Sequence, residues 1–328
     1  MSLPILASVF MGNATLFTWV DPHIVDNAKP GLSHLIETKE AYLNPTFFTI
    51  RLAIYFLIWI GVANWFRKNS MAQDVSGDPT LTNRMKKFAA PAIPLFALSI
   101  TFFSLDMLMS LDPTWFSTIF GVYYFAGSFG VFMALLGILS NKLGAEGGIL
   151  SGFIRDEHFH DIGKLTFAFV MFWGYIAFSQ YILIWYANIP EETGWFLARQ
   201  IGGWGTLSFV LLFGHFVVPF VALISKWTKR MSWYLMGAAV WMLFFGWFDL
   251  YWLVMPVIPE EAMSAKTYME VVEANADEPT HLFNPLNFTM LAGVGGCFLW
   301  LTIRRMRNTT LLAIRDPRLH EGLAFENQ

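Results

Sequence analysis

Residues 164–187 read KLTFAFVMFWGYIAFSQYILIWYA, and after Lys164 neither an acid, a base nor a histidine interrupts the run. At 1.5 Å of rise per residue, such a run crosses a hydrocarbon layer about 30 Å thick as a single helix. Similar stretches near 46–66, 90–111, 116–139, 204–225, 232–255 and 285–303 bring the expected membrane spans to seven. The whole chain shares the bias: 55% of its residues are hydrophobic and 14% charged, against roughly 25% charged in soluble domains. The expected fold is therefore all-α, a polytopic transmembrane helix bundle forming one membrane domain. Residues 1–20 are also uncharged, but Gly12, Asn13 and Thr15 make them a marginal or partial further helix.

The cations divide unevenly between successive loops. Lys29, Lys39, Arg199 and Lys266 fall on one side, Arg51 lies inside a span, and the rest of the 21 Lys and Arg fall on the other. The positive-inside rule then predicts a cytoplasmic tail at 304–328 and an outer loop at 256–284. Asn44-Pro45, Asp112-Pro113 and Asn284-Pro285 each place a capping side chain before a proline suited to the first helical position, so all three predict helix starts. Ala126 with Gly130, and Ala292 with Gly296, have the spacing that lets membrane helices approach closely. Trp115, Trp195 and Trp204 read as an interfacial aromatic belt. The single cysteine, Cys297, cannot supply the thiolates of an iron–sulfur cluster or the paired thiols that fix a c-type haem.

Asp106 and Asp249 most need a reason, because a carboxylate in hydrocarbon has to be protonated, paired or hydrated. Each follows a Phe-Phe pair, at Phe102-Phe103 and Phe244-Phe245, and each precedes a proline by the same interval, Pro113 and Pro256. Both carboxyls are thus expected about 10 Å below the outer helix ends, in two halves that echo each other. Arg51, Tyr123, Tyr124 and Gln180 fall at similar depth. Thr166, Trp173 and Gln180 form one polar stripe, and Ser99, Asp106 and Ser110 another. Two readings stand for these groups: structural glue, with Arg51 neutralising one aspartate, or proton handling. His215, the one histidine deep in a span, is either a packing residue or a proton relay. At the charged start of the fourth span, Arg155-Asp156-Glu157-His158-Phe159-His160-Asp161, followed by Lys164, is either a solvated helix start or a proton-collecting mouth. His158 and His160 lack a third ligand for zinc.

The residues also resemble a known family. Tyr42-Leu43-Asn44 with Phe47, Phe48 and Arg51, the block from Leu105-Asp106 to Asp112-Pro113 and Trp115, and the long block from His160-Asp161 and Lys164 through Gln180 to Ile184-Trp185-Tyr186, Asn188 and Pro190-Glu191-Glu192-Thr193 are similar to the NrfD-like, polysulfide-reductase-like membrane subunits of bacterial alternative complex III. The likeness is to the ActF type, the second quinone-binding-type subunit of that quinol:cytochrome c oxidoreductase, and extends over nearly the whole chain. It implies a subunit of the bacterial cytoplasmic membrane, without a cofactor of its own and not catalytic alone. It also implies a sister NrfD-like subunit that takes quinol near the outer face. Peripheral partners with iron–sulfur clusters and haems c would pass the electrons on. Asp106, Asp249, His215, His160, Asp161 and Lys164 would belong to a proton route, with Arg51, Tyr123, Tyr124 and Gln180 as its outer polar cluster. Family members usually carry further helices before the segment matching residues 1–19, so the first bundle is expected to lack its earliest helices. A secondary transporter and a purely structural anchor are the rival expectations.

Overall fold

The Asn44-Pro45 pair opens the first long helix as expected. The Asn44 side chain accepts the Phe47 N–H at 2.8 Å, and proline takes the first helical position, where an N–H has no intrahelical partner. The computed structural model describes residues 9–11, 16–20, 33–256, 269–270, 284–307 and 309–326. Among them there are helices and turns but no strand. In chain order the helices are α1 (Ser33–Lys39), α2 (Pro45–Ser76), α3 (Pro79–Met107), α4 (Phe120–Gly144), α5 (Asp156–Ala187), α6 (Pro190–Leu197), α7 (Gly202–Leu223), α8 (Lys226–Arg230), α9 (Ser232–Val254), α10 (Pro285–Arg307) and α11 (Leu319–Ala324). Seven of these, α2, α3, α4, α5, α7, α9 and α10, are long and apolar enough to cross a membrane. The protein is a multi-pass integral membrane protein.

Several helices exceed their apolar stretches. α2 and α3 run on past the hydrophobic residues to a tight turn at Gly77-Asp78. Gly77 has φ of 69°, a conformation glycine adopts at no steric cost, and its N–H closes α2 onto Gln73. Asp78 then caps α3 by accepting the Thr80 N–H at 2.9 Å. Pro91 and Pro94, at the start of the apolar stretch 90–111, lie well inside α3, and the helix continues through both. Asp112 does not open a helix: its carboxylate takes the Thr114 N–H and hydroxyl in a turn, and α4 begins only at Phe120. The expected marginal helix at 1–20 and outer loop at 256–284 lie mostly outside the described residues.

α4, α5, α7 and α9 form one bundle, and the α2–α3 hairpin packs on it through α4. Ala126, Gly130 and Gly137 line the buried face of α4, so its neighbours approach closely. The outer surface is strongly apolar, with Leu57 69%, Ile93 69% and Val221 65% exposed, as expected where lipid tails replace water. α10 is different. None of its residues is buried, and nothing lies within 4 Å of where a Cβ would stand on Gly296, so the Ala292/Gly296 pair packs on no other helix among the described residues. Past α10, the Thr310 hydroxyl and Arg315 N–H reach Asp74, and the Arg315 guanidinium donates to the Val75 carbonyl, tying the tail to the α2–α3 turn.

Candidate functional site

Asp106 ends a buried ion pair. At the penultimate residue of α3 its carboxylate meets Arg51 of α2 in a two-point contact, Nε to Oδ2 and Nη2 to Oδ1, both at 2.9 Å. Such parallel N–H···O bonds are the strong form of this pair. The Tyr55 hydroxyl donates to Oδ2 at 2.7 Å. The remaining Arg51 nitrogen donates to the Tyr42 carbonyl at 2.8 Å, and the guanidinium lies 3.7 Å over the Tyr42 ring and 4.4 Å over Phe47. Burial and then the Asp106 charge push the Tyr42 hydroxyl up to about 12, so it stays protonated. In the turn just past α3 the Ser110 hydroxyl donates to the Asp106 carbonyl, and on α3 Ser99 accepts from the Trp59 indole. The stripe of Ser99, Asp106 and Ser110 is therefore buried and satisfied.

Asp249 stands farther from the end of its helix, α9, than Asp106 does from the end of α3, and has none of the same partners. Its carboxyl is buried in the α4–α5–α7–α9 bundle, where the Tyr123 hydroxyl donates to Oδ1 at 2.5 Å and the Trp173 indole to Oδ2 at 3.2 Å. No Lys, Arg or His lies within 4.0 Å of it among the described residues. Gly127 makes the room: a Cβ there would stand 3.3 Å from the Trp173 ring and 3.5 Å from Oδ2.

His215 adjoins this network through Trp173, whose ring centroid lies 4.2 Å from its own. It is carried by a π-helical segment, Leu212–Val217, inside α7. The cause is local. Pro219 has no N–H to offer the carbonyls of the preceding turn, so regular i→i−4 bonding fails there. The Gly214 carbonyl accepts instead from the Trp241 indole at 2.7 Å, and Gly214 itself packs so tightly that a Cβ would fall 1.9 Å from the Phe245 ring. His215 is 1% exposed and its Nδ1 has no hydrogen-bond partner among the described residues. The single proline in an apolar run was the only sequence signal for this segment.

The other expected residues divide. Thr166, Trp173 and Gln180 are all buried on the inner face of α5, yet Gln180 Nε2 meets no partner among the described residues, and the Tyr124 ring packs beside Phe103. At the charged start of α5, His160 is buried with its Nδ1 3.9 Å from Glu157, which Arg230 also holds at 2.9 Å. Asp161 and Lys164 pair with each other at 2.8 Å, both nearly half exposed. His158 turns back to cap its own helix on the Arg155 N–H, so it does not join His160. Between this mouth and Trp173, about 20 Å along α5, the space is filled by Phe159, Leu223 and Leu235 and then by Ala134, Val170, Ala239 and Met242. The one hydroxyl of α5 on that stretch, Thr166, bonds its own helix at Ile162.

Two residues read as surface features are interior. Trp115, expected in an aromatic belt, is 3% exposed and stacks on Trp195 at 4.3 Å. Arg199, counted only as a loop cation, is buried and donates to the carbonyls of Trp195, Trp252 and Leu253. It thereby caps the exposed carbonyl ends of α6 and α9, where a cation also suits the helix dipole. A groove of about 490 Å³ between α9 and α10 is lined by Trp247, Tyr251, Asn287, Leu291, Gly295 and Phe298. Trp247 and Tyr251 face it from the side of α9 opposite Asp249, so neither carboxyl network opens into it. No known family model matches the chain, and no curated protein matches it.

Proposed function

We propose that this chain is a proton-handling membrane subunit of a quinol-oxidising respiratory complex, the NrfD-like, ActF-type subunit of an alternative complex III in the bacterial cytoplasmic membrane, with its C-terminal tail in the cytoplasm. The blocks Tyr42–Arg51, Leu105–Trp115 and His160–Thr193 support the family. Haem c and iron–sulfur centres belong to peripheral partners in this reading, and quinol reacts at the sister subunit. The observation that carries the proton role is the difference between the aspartates: Asp106 is fixed by a guanidinium, whereas Asp249 has only two neutral donors.

The chemistry at Asp249 is constrained by those donors. The Trp173 indole can only donate, so Oδ2 remains an acceptor in both protonation states. A proton therefore arrives at Oδ1, and the Tyr123 hydrogen bond reverses: the carboxyl donates to the phenol oxygen, and the phenol proton turns to another acceptor. Tyr123 is thus the residue through which Asp249 loads and unloads. His160, Asp161 and Lys164 form the entrance at the basic end, and transfer from there to Asp249 requires the two apolar clusters to part. Asp106 does the work of the structural-anchor reading.

The assembled complex tests this with two substitutions. Asp249→Asn keeps the shape and the acceptor for Trp173 while removing titration, so the complex should assemble with quinol turnover or proton release depressed about a hundredfold or more, the order of a lost acid–base group. Asp106→Asn strands the Arg51 charge at an expected cost of about 3–5 kcal/mol, so its effect should be lost assembly. Full turnover and proton release in assembled Asp249→Asn would remove the proton role.

A further inference from the structure

Lys229 ends α8 at the basic side, and it does not extend toward water. Its stem crosses α5 at Gly163, where a Cβ would come within 2.8 Å of the lysine Cγ and 2.9 Å of its Cβ, so α5 is notched to admit it. From there the ammonium reaches over the Phe167 ring, 5.0 Å from the centroid, one turn deeper along α5. The side chain is 7% exposed. Of its three donors the structure engages one, a long 3.4 Å bond to the Ile224 carbonyl at the end of α7. No carboxylate lies within 4.0 Å of it among the described residues. The nearby Glu157 is taken by Arg230 and faces His160, and Asp161 by Lys164. Burial and then the Lys164 charge lower the Lys229 ammonium below the ordinary lysine range.

A buried ammonium with two donors left over is costly unless an anion completes it. The surroundings say which anion. The apolar run of α5 starts just past Lys164, so the ammonium lies at the boundary between headgroups and acyl chains. The Ile224 carbonyl it meets lies at the end of α7, where the Val221 and Ile224 side chains are apolar and exposed. Basic pockets between helices at this level suit lipid headgroups, and the exposed apolar wall suits the chains below them.

We infer that the notch between α5 and the α7–α8 junction is a binding site for an anionic phospholipid, its phosphodiester on Lys229 beside Lys164 and its acyl chains along Val221 and Ile224. The inference is independent of the proton role. The detergent-solubilised protein, stripped of lipid, is titrated with dioleoyl phosphatidylglycerol, with dioleoyl phosphatidylcholine and with inorganic phosphate, and occupancy is counted by native mass spectrometry. Phosphatidylglycerol should occupy one preferred site, held more tightly than phosphatidylcholine, and millimolar phosphate should not displace it. Lys229→Met, which keeps the length and apolar stem, should weaken that site about fivefold to tenfold, while Lys229→Arg retains it. Gly163→Ala, which pushes the lysine stem out of its notch, should weaken it as well and serves if the methionine variant misfolds. Unchanged phosphatidylglycerol occupancy in Lys229→Met or in Gly163→Ala, equal binding of phosphatidylcholine, or displacement by inorganic phosphate would each overturn the site.

Discussion

Two aspartates with the same sequence surroundings have opposite environments, and the difference comes from what the neighbouring helices present. α2 offers Arg51 and Tyr55 to Asp106, while α4 and α5 offer Tyr123 and Trp173 to Asp249. The sequence exposed both carboxyls as anomalies, and the pairing of Arg51 with one of them was an open alternative. Which aspartate it served depends on helix neighbours far apart in sequence, so no local pattern could decide. Arg199 was missed for the same reason, since a cation in a short loop looks solvated until Trp195 and the end of α9 close over it. Glycine packing gives a test at this scale. Gly214→Ala drives a methyl into the Phe245 ring and should lower stability by about 1–3 kcal/mol, the usual cost of overpacking. Gly237→Ala, also in a span but with nothing within 4 Å of its Cβ position, should leave the melting temperature unchanged or slightly raised, since alanine is the better helix former. Thermal unfolding of the two solubilised variants compares them directly.

The spans were legible as elements because apolar runs and Pro-preceded caps are local signals. Their ends were less so. α2 and α3 extend well past the hydrophobic residues, since backbone hydrogen bonding and the Gly77-Asp78-Pro79 turn continue the helices after the lipid-facing residues stop. Asp78 is an exposed cap whose carboxylate is held below its ordinary range by the Thr80 hydroxyl and then the Thr80 N–H. A carboxylate lowered on folding adds stability that is fully present above its unfolded pKa and fades as the pH falls through its folded one. Asp78→Ala should therefore destabilise the α2–α3 turn at neutral pH and make little difference in strong acid, as read by hydrogen exchange of the Leu81 and Thr82 amides. The π-helical segment of α7 was not legible. A proline in a span predicts a disturbance without its direction, and the widening at Leu212–Val217 depends on Trp241 of another helix accepting the role of donor to Gly214.

At the scale of the molecule, the architecture is a four-helix bundle of α4, α5, α7 and α9 with a hairpin, α2–α3, on one side and α10 resting against Trp247 and Tyr251 of α9. The sidedness proposed from the cation distribution is checked by impermeant thiol labelling of intact cells after Cys297 is replaced. A cysteine is better placed at Glu146 than at the neighbouring Gly147, whose φ of 79° suits glycine. The Glu146→Cys label should fail to enter from outside, and a cysteine placed between 257 and 283 should react. The carboxyl networks lie toward the opposite end from the basic mouth, with apolar clusters between them, so any proton passing through the bundle must be taken up and released in separate steps. The central claim is that Asp249 changes its protonation during turnover. Infrared difference spectroscopy of the assembled complex, recorded between its resting and quinol-reduced states, measures this most directly. The native complex should show a carboxyl C=O band that is absent from Asp249→Asn. The same band persisting in an assembled Asp249→Asn complex would contradict the account.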